Sequence, residues 1–278
     1  AAGSPSLTQY KLAPSSRRKV ELNSDHHSTA SRTTTREVCT AMSTPGDPRK
    51  RIVLVRHGES EGQACSSQGI SRSDPVLLDC GLTRKGISQA KGMWPGSFPK
   101  PELIVTSPLK RALLTTLLAF PANDTKIVCH PSIRERGSKI PENRLRPLPL
   151  ILEDEELSFR PGFAEIDFTL VAGAPMEEPD GGEANRAYGG LEGFVRWLAA
   201  REETNIVVVC HHNVILQLLA GQRVRPVNCV PVVCLLAGEA GREHLITAEA
   251  SKEPQGSGEG KGGKGKKGKG GKAGRDGF

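Results

Sequence analysis

Residues 51–62 read RIVLVRHGESEG. Ile52, Val53, Leu54 and Val55 form an unbroken apolar run. A half-exposed strand would alternate; a run without alternation is expected of a central parallel strand covered on both faces. The run stops at a cation, an imidazole and a glycine: Arg56, His57 and Gly58. Three further stretches have the same character. ELIVTSP (102–108) is a second buried strand, and LKRALLTTLLAF (109–120) follows as a helix stopped by Pro121. KIVCHP (126–131) is a third strand, and NIVVVCHH (205–212) a fourth, followed by a helix in NVILQLLAG (213–221) that Gly221 closes.

The rest of the chain fits around these. GLTRKGISQAKGM (81–93) is a moderately amphipathic helix with Leu82, Gly86, Ala90 and Met93 on one face. EANRAYGGLEGFVRWLAARE (183–202) reads as a helix with Phe194, Trp197 and Leu198 inward and the Gly189–Gly190 pair as its weak point. VNCVPVVCLLAG (227–238) and EHLITAEA (243–250) read as strands near a sheet edge, where Pro231 is tolerated. Residues 137–182 are Pro-rich and read as irregular, with EDEE (153–156) a solvated face. Strands alternating with helices predict an α/β fold, a three-layer αβα sandwich with a mostly parallel central sheet.

Composition sets the boundaries. Of 38 Lys and Arg and 31 Asp and Glu, residues 1–50 hold 8 and 4 and residues 251–278 hold 8 and 3. Residues 51–250 thus keep 22 basic and 24 acidic groups, so the excess of +7 belongs to the two ends and says nothing about a site in the middle. Residues 1–48 lack periodicity and are Ser- and Thr-rich; they read as a disordered or targeting segment. Residues 49–250 form the folded domain, and 251–278 are a disordered Gly/Lys-rich tail. That tail offers sequence-independent electrostatic contact to polyanions but lacks interleaved aromatic residues for stacking. The seven cysteines are widely spaced, form no Cys-x-x-Cys pair and sit largely in apolar runs, as expected of reduced thiols in an intracellular, cytoplasmic protein. An organelle is the alternative if the N-terminus is a transit peptide. No apolar run is long enough for a membrane span.

In such sheets ligands sit beyond the carboxyl ends of the strands. The four strand ends here bring Arg56 and His57, Arg111 early in the following helix, Glu135 after the third strand, and His211 and His212. Two arginines offer planar forks for oxygen pairs of a phosphate monoester. A neutral imidazole can attack phosphorus when an acid protonates the leaving oxygen. Gly58 is expected to let the backbone pass close to the ligand. Of His211 and His212, one is expected to point into the site and the other away. Glu135 lies between Arg134 and Arg136, so a salt-bridged surface role is its alternative, with Glu183 the next candidate acid. Lys139, Arg144 and Arg146 either meet a second anionic group of the substrate or line a solvated loop.

VRHGES (55–60), SPLKRA (107–112) and VVVCHHNVI (207–215), taken in order, resemble the histidine phosphatase superfamily, also called phosphoglycerate-mutase-like. CGLTRKGISQA (80–90) and HPSIRE (130–135) resemble its helix and its approach to an acidic residue. RPGFAEIDFT (160–169) and FVRWLAARE (194–202) resemble a phosphatase branch found in plants, fungi and bacteria. The resemblance spans about residues 51–222. It implies that His57 becomes phosphohistidine, that Arg56, Arg111 and His211 hold the phosphoryl group, that Glu135 donates the proton, and that no metal or other cofactor is used. Gln63 stands where the family often has Asn, which alters one phosphate contact. His212 and Asn213 stand where small residues are common, which makes a bulkier pocket wall. The expected activity is hydrolysis of a small phosphorylated substrate; a phosphomutase of the same fold and a non-catalytic phospho-ligand scaffold are the rivals. Dedicated mutases carry long insertions after the first and third motifs that this chain lacks.

Overall fold

The computed structural model describes residues 50–94, 99–121, 124–137, 139–172 and 188–248. Expectations for residues 1–48, for the basic tail, for Glu183 and for the start of the 183–202 helix fall outside them. Seven strands form one sheet: β1 (Arg51–Arg56), β2 (Leu103–Thr106), β3 (Lys126–Cys129), β4 (Ile166–Asp167), β5 (Asn205–Cys210), β6 (Val232–Ala237) and β7 (His244–Thr247). Their order across the sheet is β4-β3-β2-β5-β1-β6-β7. The five strands from β4 to β1 run parallel, while β6 is antiparallel to β1 and β7 to β6. The fold is α/β with a mostly parallel sheet, as the alternation of strands and helices predicts.

The apolar runs are explained by cover on both faces. Val53, Val55, Ile104, Ile127, Val207 and Val209 pack on one side with Ala90 and with Leu113, Leu114 and Leu117 of the Lys110–Ala119 helix. Ile52, Leu54, Leu103, Val105, Ile206 and Val208 pack on the other with Phe194, Val195 and Leu198 of the Gly190–Ala199 helix and Val214 and Ile215 of the His212–Leu218 helix. Successive residues of one strand serve opposite cores, so polarity never alternates. Each such fully buried side chain contributes about 1.5–3 kcal/mol.

Strand order places the site. The chain leaves β1, skips one position to β2, continues outward through β3 and β4, and returns to lay β5 in the gap. Register then sets Arg56 opposite Cys210 and Thr106 opposite Val209. The backbone N–H of His57 donates to the Cys210 carbonyl at 3.0 Å, and that of Ser107 to Val209 at 3.1 Å. Residues 56–57, 107 and 211 are therefore neighbours because three strand ends are.

Three local features differ from expectation. Residues 137–172 are not irregular: they hold a 3-10 turn (Pro141–Asn143), short helices (Leu148–Leu152, Glu155–Ser158, Thr169–Ala172) and β4. Their Pro content hid this, since Pro141 and Pro149 stand near the starts of short turns, where a missing N–H costs nothing. The described part of the 183–202 helix starts only at Gly190, where Gly189 takes φ 71°; Trp197 is half-buried and packs against the core, as its inward placement predicts. A helix at Glu61–Ser67, directly after the first motif, was not expected; Ser60 and Gln63 close a capping box at its start.

The EDEE stretch is not simply solvated either. Asp154 accepts from Lys110 Nζ at 3.0 Å and from Arg146 at 2.9 Å, and its side chain is nearly buried. Arg146 also meets Asp79 at 2.9 Å, so its charge is spent inside the protein and neither expectation for it holds. Asp79, in turn, accepts the Lys110 backbone N–H at 2.8 Å, capping from a distance the helix whose own N-cap, Leu109, has no side-chain bond to give. Burial pushes the Asp79 carboxyl up to about 6.

The six described cysteines are free thiols, five of them buried, in keeping with their apolar runs. Among the described residues no helix is long and apolar enough to cross a membrane.

Candidate active site

His57 lies just beyond β1 and is 4% exposed. Its Nδ1 is 2.7 Å from the Gly58 carbonyl. A carbonyl only accepts, so Nδ1 carries the proton and Nε2 holds the lone pair. Arg111 Nε, at 3.2 Å, donates to that Nε2. The buried Arg111 side chain is anchored at its other nitrogens: Nη1 donates to the Glu142 carbonyl and Nη2 to Asn143 Oδ1 at 2.8 Å. Burial, and then the Arg111 guanidinium, hold the His57 pKa well below its ordinary value. The imidazole is thus neutral near pH 7, with its nitrogen lone pair beside a fixed cation.

His211 is fully buried, its ring centroid 5.1 Å from that of His57. Ser107 Oγ holds its Nε2 at 2.8 Å, and its Nδ1 has no hydrogen-bond partner among the described residues. Burial and then Arg111 lower its pKa strongly as well. His212, the first residue of the next helix, borders the cavity, while His211, at the N-cap, stands against the His57 ring.

The cavity beside them measures about 460 Å³. Arg56, His57, Arg111, Glu135 and His212 all border it. Arg56 donates from Nη1 to the Pro226 carbonyl at 3.2 Å, while its Nε is buried without a partner among the described residues. Glu135 accepts the Arg136 backbone N–H at 2.9 Å and that of Asn213 at 3.5 Å. Its carboxylate is therefore held by backbone donors at the border of the cavity.

Two further expectations are revised. Gly58 is required by a close approach within the protein: a Cβ there would overlap the Gly86 carbonyl, and one on Gly86 would overlap Glu59. The pair of glycines lets the first motif pass close to the Arg84–Lys91 helix. Gln63 borders the cavity, but its Oε1 accepts from the Ser60 N–H at 3.1 Å and from Asn228 Nδ2 at 3.2 Å. The extra methylene relative to Asn brings its amide to the helix cap instead of leaving it for a ligand.

Several residues that matter here were not singled out from sequence. Asn228 donates to the His57 carbonyl at 2.6 Å, and Thr115 Oγ1 accepts the Gly58 N–H at 3.0 Å. Thr115 could have been found, since it stands four residues after Arg111 on the same helix face. Asn143, Asn228 and Glu142 carry no sequence signal: two belong to the short 3-10 turn Pro141–Asn143 and one to the segment before β6.

Arginines and neutral histidines gathered at the carboxyl end of a parallel sheet form an arrangement suited to binding a phosphoryl group. Comparison with known families agrees. The histidine phosphatase superfamily (branch 1) matches residues 52–147. Members of that superfamily include phosphatases and mutases. Solved structures similar to the chain include an alpha-ribazole phosphatase from Shigella flexneri, at 20% identity over 71% of this chain and 95% of that one, TM-score 0.43. A phosphoserine phosphatase from Entamoeba histolytica, solved with 3-phosphoglyceric acid, is 21% identical over 71% and 94%, TM-score 0.41. A phosphoglycerate mutase from Thermus thermophilus is 22% identical over 71% and 97%, TM-score 0.37. None of these likenesses bears on which reaction this chain performs. A search of curated proteins found no match.

Proposed function

We propose that the protein is a metal-independent phosphomonoester hydrolase acting through a phosphohistidine on His57. The observation that supports this best is the tautomer of His57: Nδ1–H is tied to the Gly58 carbonyl, and Nε2 bears its lone pair beside the Arg111 guanidinium at the border of the cavity. In this reading Arg56, Arg111 and His211 hold the phosphoryl oxygens. Nε2 attacks phosphorus and the P–O bond to the leaving group breaks, while Glu135 gives that oxygen its proton. Water then attacks phosphorus, losing a proton to Glu135. The N–P bond breaks, inorganic phosphate departs, and neutral imidazole returns.

Hydrolysis of p-nitrophenyl phosphate tests the reading directly. Acid-labile, alkali-stable label should appear on His57 after rapid quenching with labelled substrate. Orthovanadate should inhibit, and EDTA should leave turnover unchanged, because two fixed guanidinium groups at the phosphate end oppose a divalent cation. Activity that vanishes with EDTA and returns with Zn²⁺ or Mn²⁺ would contradict the mechanism. Addition of 3-phosphoglycerate as acceptor separates hydrolysis from phosphoryl return to a bound product.

The pH profile gives a second test. A histidine whose folded pKa lies well below 6.5 remains in its neutral, attacking form as pH falls through 6.5. After correction for the substrate's own ionisation, kcat/KM should show no acid limb near pH 6.5. A limb centred there would mean that His57 titrates as an exposed imidazole.

A further inference from the structure

Arg111 is held at both ends. Its backbone belongs to the Lys110–Ala119 helix, and its guanidinium is anchored on the turn Pro141–Asn143, through the Glu142 carbonyl and Asn143 Oδ1. Asp79 ties these two elements together. One of its carboxylate oxygens accepts the Lys110 backbone N–H at 2.8 Å, at the residue next to Arg111. The Asp79 backbone N–H donates to the Pro141 carbonyl at 3.2 Å, at the start of the turn. The other carboxylate oxygen accepts from Arg146 Nε at 2.9 Å, shortly beyond the turn. Asp79 is 1% exposed, and its φ of 43° lies in the left-handed region that residues other than glycine adopt at a cost. Glycine at this position would escape that cost but could hold neither Lys110 nor Arg146.

We propose that Asp79 is a positioning residue for the phosphate site: it fixes the Lys110–Ala119 helix against the Pro141–Asn143 turn and so sets where the Arg111 guanidinium stands. This rests on the reading of Arg111 as a phosphate-binding residue. Leu109, at the N-cap, offers no side-chain bond, so the first turn of the helix takes an acceptor from Asp79 instead. A slide of the turn along the helix would draw the guanidinium from its place beside His57 Nε2, now 3.2 Å from Arg111 Nε. Recognition of an oxyanion by a planar guanidinium depends on orientation, so such a slide weakens phosphate binding even in a folded molecule. A buried carboxylate is tolerated only where its oxygens are matched, and here the matching donors come from the two segments that Asp79 braces.

The readout is the Kd of inorganic phosphate, measured by calorimetric titration of the full-length protein above pH 7, where Asp79, whose carboxyl burial pushes up to about 6, is ionised. A dissociation constant does not depend on the folded fraction, which appears in the stoichiometry instead. Asp79→Gly keeps the backbone N–H and relieves the left-handed φ but removes both side-chain contacts. It should raise the Kd at least about tenfold, the order of one charge-assisted hydrogen bond. Asp79→Asn keeps the size and places its one acceptor oxygen at Lys110 or at Arg146, not at both. It should raise the Kd about threefold or more, the order of one net hydrogen bond. Lys110→Met removes the ion pairs with Asp154 and Glu156 while leaving the backbone N–H on Asp79; it should lower the thermal midpoint without moving the Kd. An unchanged Kd in Asp79→Gly, or in Asp79→Asn where the glycine variant does not fold, overturns the assignment, as does an equal rise in Lys110→Met. Failure of the wild type to bind phosphate overturns the phosphate site itself, whereas binding without hydrolysis of p-nitrophenyl phosphate overturns only the hydrolase reading.

Discussion

Replacing His57 with alanine is expected to lower turnover of p-nitrophenyl phosphate by at least about 10³-fold, the size of loss seen when one member of a catalytic unit is removed. In the proposed mechanism the imidazole forms the bond to phosphorus, and the arginines could still bind the dianion without replacing the nucleophile. Binding of vanadate should therefore persist in weakened form while covalent label disappears. The substitution also leaves Arg111 Nε without its 3.2 Å partner, so a thermal melt must accompany the kinetics. Turnover close to wild type in the folded variant would end the phosphohistidine reading.

Changing Glu135 to glutamine is expected to have an effect that depends on the leaving group. An alkyl phosphate releases an alkoxide that must be protonated as its P–O bond breaks, and help of this kind is worth about 10²–10⁴-fold. A nitrophenolate needs little help. The variant should thus lose far more on glycerol 3-phosphate than on p-nitrophenyl phosphate. Glutamine keeps both acceptor capacity toward the Arg136 and Asn213 N–H groups and the side-chain volume, so a positional role would survive the change. Equal slowing of both substrates would reduce Glu135 to such a role.

The parts of the fold legible in the sequence were those governed by local pattern. Ile52–Val55, Leu103–Val105 and Ile206–Val209 had to be buried on both faces, because nothing in them alternates. The Lys110–Ala119 helix followed from periodicity and from Pro121 beyond it. Residues 141–172 resisted reading because none of their elements exceeds the five residues of Leu148–Leu152, too short for a period to be seen. Their stability comes from contacts such as Asp154 with Lys110 and Arg146, between groups distant in the chain.

The site divides along the same line. Arg56, His57, Arg111, Glu135 and His211 could be picked out from the sequence because each stands at or near a strand's carboxyl end, and a parallel sheet aligns those ends. What the sequence could not reveal is which nitrogen of His57 holds the proton, that Gly58 makes room for Gly86, that Gln63 turns to its own helix cap, and that Asn143, Asn228 and Glu142 surround the arginine and the histidine. Strand and helix patterns repeat every two to four residues and are written in neighbouring side chains. Loop side chains meet across separations such as the 171 positions between Asn228 and His57, and only the bridge between Asn228 and Arg56 at the end of β1 brings these two within hydrogen-bond distance.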